Sequence, residues 1–201
     1  MKIYFSAASP FVRKVFVCAH ELGLADRIEK LPSAAHPVNR DATIRQHNPL
    51  GQVPTFFNDE GEVLYDSRVI CEYLNALAKG GLFGDENTRW RILTEGAMGD
   101  GLLGAALLSR YEVVARPTTL KWDQWEQGQL GKITDVLDRI EHGVPDLAAR
   151  VDIATITFAC GLGYLDFRFP SFDWRSGRPT AAAWFETFRQ RPSMEATKPT
   201  T

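Results

Sequence analysis

Strand-like segments end at residue 65 of this 201-residue chain, and from residue 87 onward only helical periods remain. That asymmetry restricts the fold more than any other feature. A small mixed α/β unit comes first and an all-helical unit second. The stretch "KGGLFG" at residues 79–84 is the linker between them. We set the domains at 1–78 and 87–201, with 79–86 as the connection.

Within the first unit, residues 2–5 are short, apolar and β-prone. Phe11, Val15, Cys18, Ala19 and Leu22 then recur at helical spacing, and Gly23 stands where a left-handed cap would close the helix. Residues 27–31 form a second strand. Residues 33–50 are polar and contain Pro37, Asn39, Asn48 and Pro49, so a loop with one short helix is expected. "VPTFF" (53–57) is a buried-strand signal, "NDEGE" (58–62) a turn, and 63–65 its return strand. Asp66-Ser67 opens a helix with Val69, Ile70, Tyr73, Leu74 and Leu77 on its apolar side. The order is β-α-β followed by β-β-α.

In the second unit, residues 87–115 read as a long helix stopped by Arg116-Pro117. Residues 118–142 read as another, closed by Gly143 and Pro145. Residues 152–167 are apolar nearly all round, which marks a core helix. Residues 180–190 form a last helix, and "PSMEATKPTT" a frayed tail. Gly96, Gly99, Gly101 and Gly104 crowd the first of these helices; either another helix approaches closely there or the helix kinks.

Composition excludes several classes of function. A net charge of −2 gives no basic excess for nucleic acid or an anionic membrane. The N-terminus lacks the apolar core of a signal peptide, and the apolar stretch at 153–165 is too short to span a bilayer. A cytoplasmic protein is expected. Cys18, Cys71 and Cys160 are far apart with no CxxC, and His20, His36, His47 and His142 show no ligand spacing. Neither a disulfide framework nor a metal site is expected.

Three local features bear on chemistry, each open to two readings. Ser9-Pro10 is a favoured start of a helix; the same hydroxyl, beside free amides and a positive dipole end, can stabilise an anion. Pro54 in "NPLGQVPTF" (48–56) cannot complete a sheet ladder; a cis Val53-Pro54 bond would leave the Val53 backbone open to an extended ligand. Asp66-Ser67 in "YDSRVI" (65–70) is either a cap or a holder for a zwitterion, with the hydroxyl and amides for its carboxylate and Asp66 for its ammonium.

The ordered set "SPFVRKV" (9–15), "NPLGQVPTF", "DSRVICEYL" (66–74) and "VDIATITFAC" (151–160) resembles the cytosolic glutathione S-transferase family, in its serine-type bacterial branch. "YEVVARP" (111–117) and "GYLDFR" (163–168) point to the same branch. The resemblance implies a thioredoxin-like first domain, a helical second domain and a homodimer. It implies that Ser9 hydrogen-bonds the glutathione sulfur and favours its thiolate. Pro54 would be the cis-proline, Val53 would pair through its backbone with the cysteinyl unit, and Asp66 and Ser67 would hold the γ-glutamyl end. Gln52 would reach the glycine carboxylate, with His36 or Asn39 as helpers, and Phe11 would belong to the glutathione site. Phe11, Arg110 and Tyr111 would line the pocket of a small hydrophobic electrophile between the domains. Glutathione is then a co-substrate, no metal is needed, and detoxification by conjugation is the expected role. A glutathione-dependent peroxidase and a non-catalytic glutathione-binding or protein-interaction scaffold are the alternatives on the same fold. Tyr4 lies inside a strand and Cys18 on the apolar side of a helix, so neither competes with Ser9. Ala149 departs from the family's Ser or Thr three residues before Asp152, which leaves the cap of that helix in question.

Overall fold

The computed structural model describes residues 1–200, the side chain of Pro145 excepted. In chain order the elements are β1 (Lys2–Tyr4), α1 (Pro10–Glu21), β2 (Glu29–Leu31), α2 (Ala42–Arg45), β3 (Thr55–Phe57), β4 (Val63–Leu64), α3 (Ser67–Leu77), α4 (Arg89–Val114), α5 (Asp123–Leu147), α6 (Ile153–Arg168), α7 (Pro179–Phe188) and α8 (Pro192–Glu195). They form two compact units. One comprises Met1–Phe83 together with the chain from Pro192 onward, and the other Gly84–Arg191.

The first unit is a four-stranded sheet in the order β2-β1-β3-β4. β1 and β2 are parallel and joined by α1; β3 and β4 run antiparallel to their neighbours. Ile3 sits opposite Phe56 in the central pair, and both are fully buried. α1 packs against α3, and Val12, Val15 and Phe16 of the one and Ile70 and Leu74 of the other are buried. Gly23 adopts φ +69°, and the Leu24 amide returns to Ala19 O at 2.8 Å, closing α1 as its position suggested.

The C-terminal segment does not fray. α8 lies against α1, with Met194 fully buried. Arg13 Nη2 donates to Met194 O at 3.3 Å, and the Ser193 hydroxyl donates to Glu21. A buried methionine and two bonds to α1 hold this short helix, and its composition alone conceals that.

In the second unit α4 packs along both α5 and α6. α6 is buried at every residue from Ile153 to Leu165. The glycines of α4 divide into two sets. A Cβ at Gly99 would stand 2.8 Å from Thr157 Cγ2 and 3.1 Å from the Phe158 ring, so α6 approaches closely there. Gly101 and Gly104 have nothing within 4 Å. α5 does not close at Gly143 but runs to Leu147. Ile133, Leu137, Ile140, Val144 and Leu147 form one buried stripe at helical spacing, and that burial outweighs the local stop signals. Residues 118–120 form a short 3-10 turn ahead of α5. Asp152 itself caps α6 without help from Ala149, and Thr155 completes a capping box with it. Thr155 Oγ1 accepts the Asp152 amide while Asp152 Oδ1 accepts the Thr155 amide, both at 2.9 Å.

Candidate functional site

A groove in the first unit is lined by Phe11 from α1, by Asn48, Leu50, Gln52, Val53 and Pro54 ahead of β3, and by Tyr65, Asp66 and Ser67 at the start of α3. Six of these nine were singled out in the sequence: Phe11, Gln52, Val53, Pro54, Asp66 and Ser67. They are brought together because β3 lies between β1, which feeds α1, and β4, which feeds α3.

The segment before β3 is fixed by an inner scaffold. Asn48 is buried, its Oδ1 accepts the Leu50 amide at 3.0 Å, and its Nδ2 donates to Thr55 Oγ1 at 2.8 Å. Thr55 Oγ1 in turn donates to Gln52 O at 2.7 Å. Gly51 turns the chain at φ +63°, where a side chain would be strained and its Cβ would stand 3.1 Å from Arg45 Cγ. The Val53-Pro54 bond is cis, as is Tyr65-Asp66. With its carbonyl and amide neighbours so engaged, the Val53 backbone N–H and C=O have no hydrogen-bond partner among the described residues.

At the other wall, Asp66 caps α3. Its Oδ1 accepts the Arg68 amide at 3.0 Å, and its Oδ2 accepts Arg68 Nη2 at 2.8 Å. These bonds from Arg68 outweigh partial burial and, with the charge of Lys14, hold the Asp66 carboxyl below the usual carboxylate range. One end of the groove therefore carries an ionised carboxylate paired with the Arg68 guanidinium. Ser67 is 2 % exposed. It sits at the first position of α3, where amides are unpaired and the dipole is positive.

Ser9 is not in the lining of the groove. It caps α1 with φ −80° and ψ 121°, and its Oγ accepts the Val12 amide at 3.3 Å. The capping bond uses an acceptor lone pair, so the hydroxyl hydrogen is available to an anion. Both readings of Ser9 are therefore chemically compatible in one geometry.

The remaining candidates lie elsewhere. His36 and Asn39 are exposed and outside the groove; His36 Nδ1 accepts the amides of Val38 and Asn39. Arg110 and Tyr111 lie on α4 in the second unit. Tyr4 is buried in β1, against the rings of Phe57 and His47. Cys18, Cys71 and Cys160 are buried and form no disulfide. Three lining residues went unmarked in the sequence, namely Asn48, Leu50 and Tyr65. Each lies in a quoted motif, but its residue type alone did not mark it as part of a groove. Among the described residues no group of three His, Cys, Asp or Glu side chains could hold a metal ion, and no helix is long and apolar enough to cross a membrane.

The groove and its two flanking helix starts coincide with a known family pattern. Residues 8–77 match the glutathione S-transferase N-terminal domain and residues 123–187 the C-terminal domain of that family. The chain is 35% identical over 205 residues to the uncharacterized GST-like protein YibF of Escherichia coli K12, covering 99% of this chain and 98% of that protein. The chain belongs to the glutathione S-transferase family. Among solved structures of the family, a glutathione transferase family member from Pseudomonas fluorescens Pf-5 with bound glutathione superposes with a TM-score of 0.96. It is 44% identical, over 100% of this chain and 99% of that one. A second structure from the same source, with bound S-(propanoic acid)-glutathione, has a TM-score of 0.91 at 43% identity and full coverage of both chains. The fold is accordingly the glutathione S-transferase fold, a thioredoxin-like first domain followed by helices.

Proposed function

We propose that this chain is a glutathione transferase, acting as a homodimer, that joins the glutathione sulfur to an electrophilic carbon. One observation carries the reading. A single groove sets an unpaired extended backbone, at Val53, opposite an acidic helix start, at Asp66-Ser67. That is what a short peptide with a free α-amino acid end requires: a strand edge for its middle and paired charges for its end. The glutathione and S-substituted glutathione bound by the Pseudomonas relatives support it.

In this reading Val53 N–H and C=O pair with the cysteinyl unit. The Ser67 hydroxyl and the first amides of α3 hold the γ-glutamyl carboxylate, and Asp66 its ammonium. Gln52 donates to the glycine carboxylate. Ser9 donates its hydroxyl hydrogen to the sulfur at the N-terminus of α1. That hydrogen bond and the helix dipole lower the thiol pKa and raise the fraction of thiolate, which is the nucleophile. The thiolate then forms a bond to the electrophilic carbon. A leaving group departs with its electron pair, or an alkene pair shifts to the adjacent carbon, which takes a proton from water.

The test is the ultraviolet thiolate band of bound glutathione across pH, compared with Ser9→Ala. We expect a band at neutral pH that is lost in the variant, with turnover reduced about 10²-fold and glutathione affinity nearly unchanged. Turnover and band both unaffected would remove Ser9 from this role. No glutathione binding would overturn the whole reading.

A further inference from the structure

The turn that delivers Gln52 and Val53 to the groove is held from two sides. Residues 48–51 form a β-turn with Pro49 at its second position, closed by the Gly51 amide, which donates to Asn48 O at 2.8 Å. The central peptide of this turn joins Pro49 to Leu50. On the inner side, Asn48 Oδ1 accepts the Leu50 N–H of that peptide at 3.0 Å. On the outer side, Arg40 Nη2 donates to the Pro49 C=O of the same peptide. Proline has no N–H, so this carbonyl is the one backbone group by which Pro49 can be hydrogen-bonded.

The guanidinium also closes on the glycine of the turn. A Cβ at Gly51 would stand 3.4 Å from Arg40 Nε, 3.5 Å from Arg40 Nη2 and 3.1 Å from Arg45 Cγ, so two arginine side chains occupy the space beside it. Arg40 is exposed, yet its place in the chain is fixed by its neighbours. Asp41 caps α2, its Oδ1 accepting the Thr43 amide at 2.8 Å, and its Oδ2 accepts the Ala34 amide at 2.7 Å. Ile44 of α2 is fully buried, and Ser33 Oγ donates to Phe5 O at 2.8 Å, just past β1. Residues 33–45 are thus anchored by bonds of their own, and Arg40 reaches from them to the turn. Leu50, Gln52 and Val53, the residues that follow Pro49 on either side of Gly51, line the groove.

We propose that Arg40 is a positioning residue for glutathione: by holding the Pro49 carbonyl it fixes the central peptide of the turn, and with it the direction in which Gln52 and Val53 enter the groove. This rests on the glutathione reading above. Arg40 acts on the chain and not on the ligand. Without it the central peptide keeps only its N–H bond to Asn48, and the Val53 backbone is less often aligned for an extended peptide, a loss of preorganisation.

Calorimetric titration of the full chain and of Arg40→Ala with glutathione and with γ-glutamylcysteine, which lacks the glycine, tests it. Both ligands should bind about threefold to tenfold more weakly to the variant, the range of one intramolecular hydrogen bond. The factor should be the same for both, because what is lost is the alignment of the rung that pairs with the cysteinyl unit. The melting temperature of the ligand-free chain should not change, since Arg40 lies on the surface. Arg40→Lys keeps a donor without the planar fork and should recover part of the loss for both ligands. A loss confined to glutathione would mean direct contact with its glycine carboxylate, and a loss matched by a lower melting temperature would mean a general part in stability. Either overturns the proposal, as does unchanged binding. If the native chain binds neither ligand, the transferase reading falls separately. The positioning role is then read from amide exchange in the ligand-free chain. The hydrogen-bonded amides of Leu50 and Gly51 should exchange about threefold to tenfold faster in Arg40→Ala, and unchanged exchange overturns the proposal.

Discussion

Asn48 shows how one buried side chain can set the geometry of a binding segment without meeting the ligand's reactive atom. It spends its carbonyl on the Leu50 amide and its amide on Thr55, which fixes Gln52 O in turn. Asn48→Ala removes the acceptor of the part-buried Leu50 amide and the donor to the buried Thr55 hydroxyl, so a loss of roughly 1–3 kcal/mol of stability is expected. Glutathione KM should rise while kcat for saturating glutathione changes little, because the segment loosens but Ser9 is untouched. Denaturant melts and steady-state kinetics check the two parts. Tyr164 gives a prediction of opposite character. Its phenol is raised to about 12 in the fold, against 10.0 for an ordinary phenol. In the unfolded chain it ionises first, so the unfolded state holds fewer protons and stability falls as pH rises through that window. Tyr164→Phe should flatten the decline of stability between pH 10 and about 12, read by urea melts that report the helical unit. A slope identical to the native one would mean that another group governs alkaline unfolding.

Among the elements, α4 carries a prediction in which two glycines of one helix respond with opposite signs. Gly101→Ala adds helix propensity in open space and should stabilise by about 1 kcal/mol. Gly99→Ala adds the same propensity, but its Cβ meets Thr157 and Phe158 on α6, and overpacking there should cost roughly 1–3 kcal/mol. Thermal melts of the two variants decide it; two changes of the same sign would show that α4 and α6 can slide apart. The elements also show what a sequence makes legible. Each helix whose apolar spacing is long and regular is found within a few residues of its expected span, because periodicity reports burial directly. The end of α5 was misplaced because Gly143 and Pro145 are local signals, whereas Val144 and Leu147 are held by tertiary burial. The candidate groove was legible where residue type carries the chemistry, as at Pro54, Asp66 and Ser67. It was not legible at Asn48, whose part depends on hydrogen bonds inside a loop, nor at Tyr65, which looks like an ordinary strand residue.

At the scale of the whole molecule the chain leaves its first unit at residue 83, builds the second, and returns at Pro192. The first unit is therefore discontinuous, and its α1 is completed by α8. Met194 is fully buried, Ser193 bonds to Glu21 near the end of α1, and Arg13 Nη2 reaches back to the Met194 carbonyl. α1 also carries Ser9 at its start and Phe11 in the groove wall. Removing α8 should thus weaken the candidate site from a distance, through the helix that presents it. A chain ending at Arg191 is expected to lose stability in its first unit and to bind glutathione less tightly. Met194→Ala should reproduce most of the stability loss, at roughly 2–5 kcal/mol, because it removes the buried anchor while leaving the backbone bond from Arg13. The second unit, complete by residue 191, should keep its own helical signal. Calorimetric unfolding of the three chains, with glutathione titration alongside, separates the outcomes. A truncated chain that melts and binds like the intact one would show that α1 holds its geometry from the sheet and α3 alone. A loss confined to binding would place the contribution of α8 in the orientation of α1 rather than in the stability of its unit.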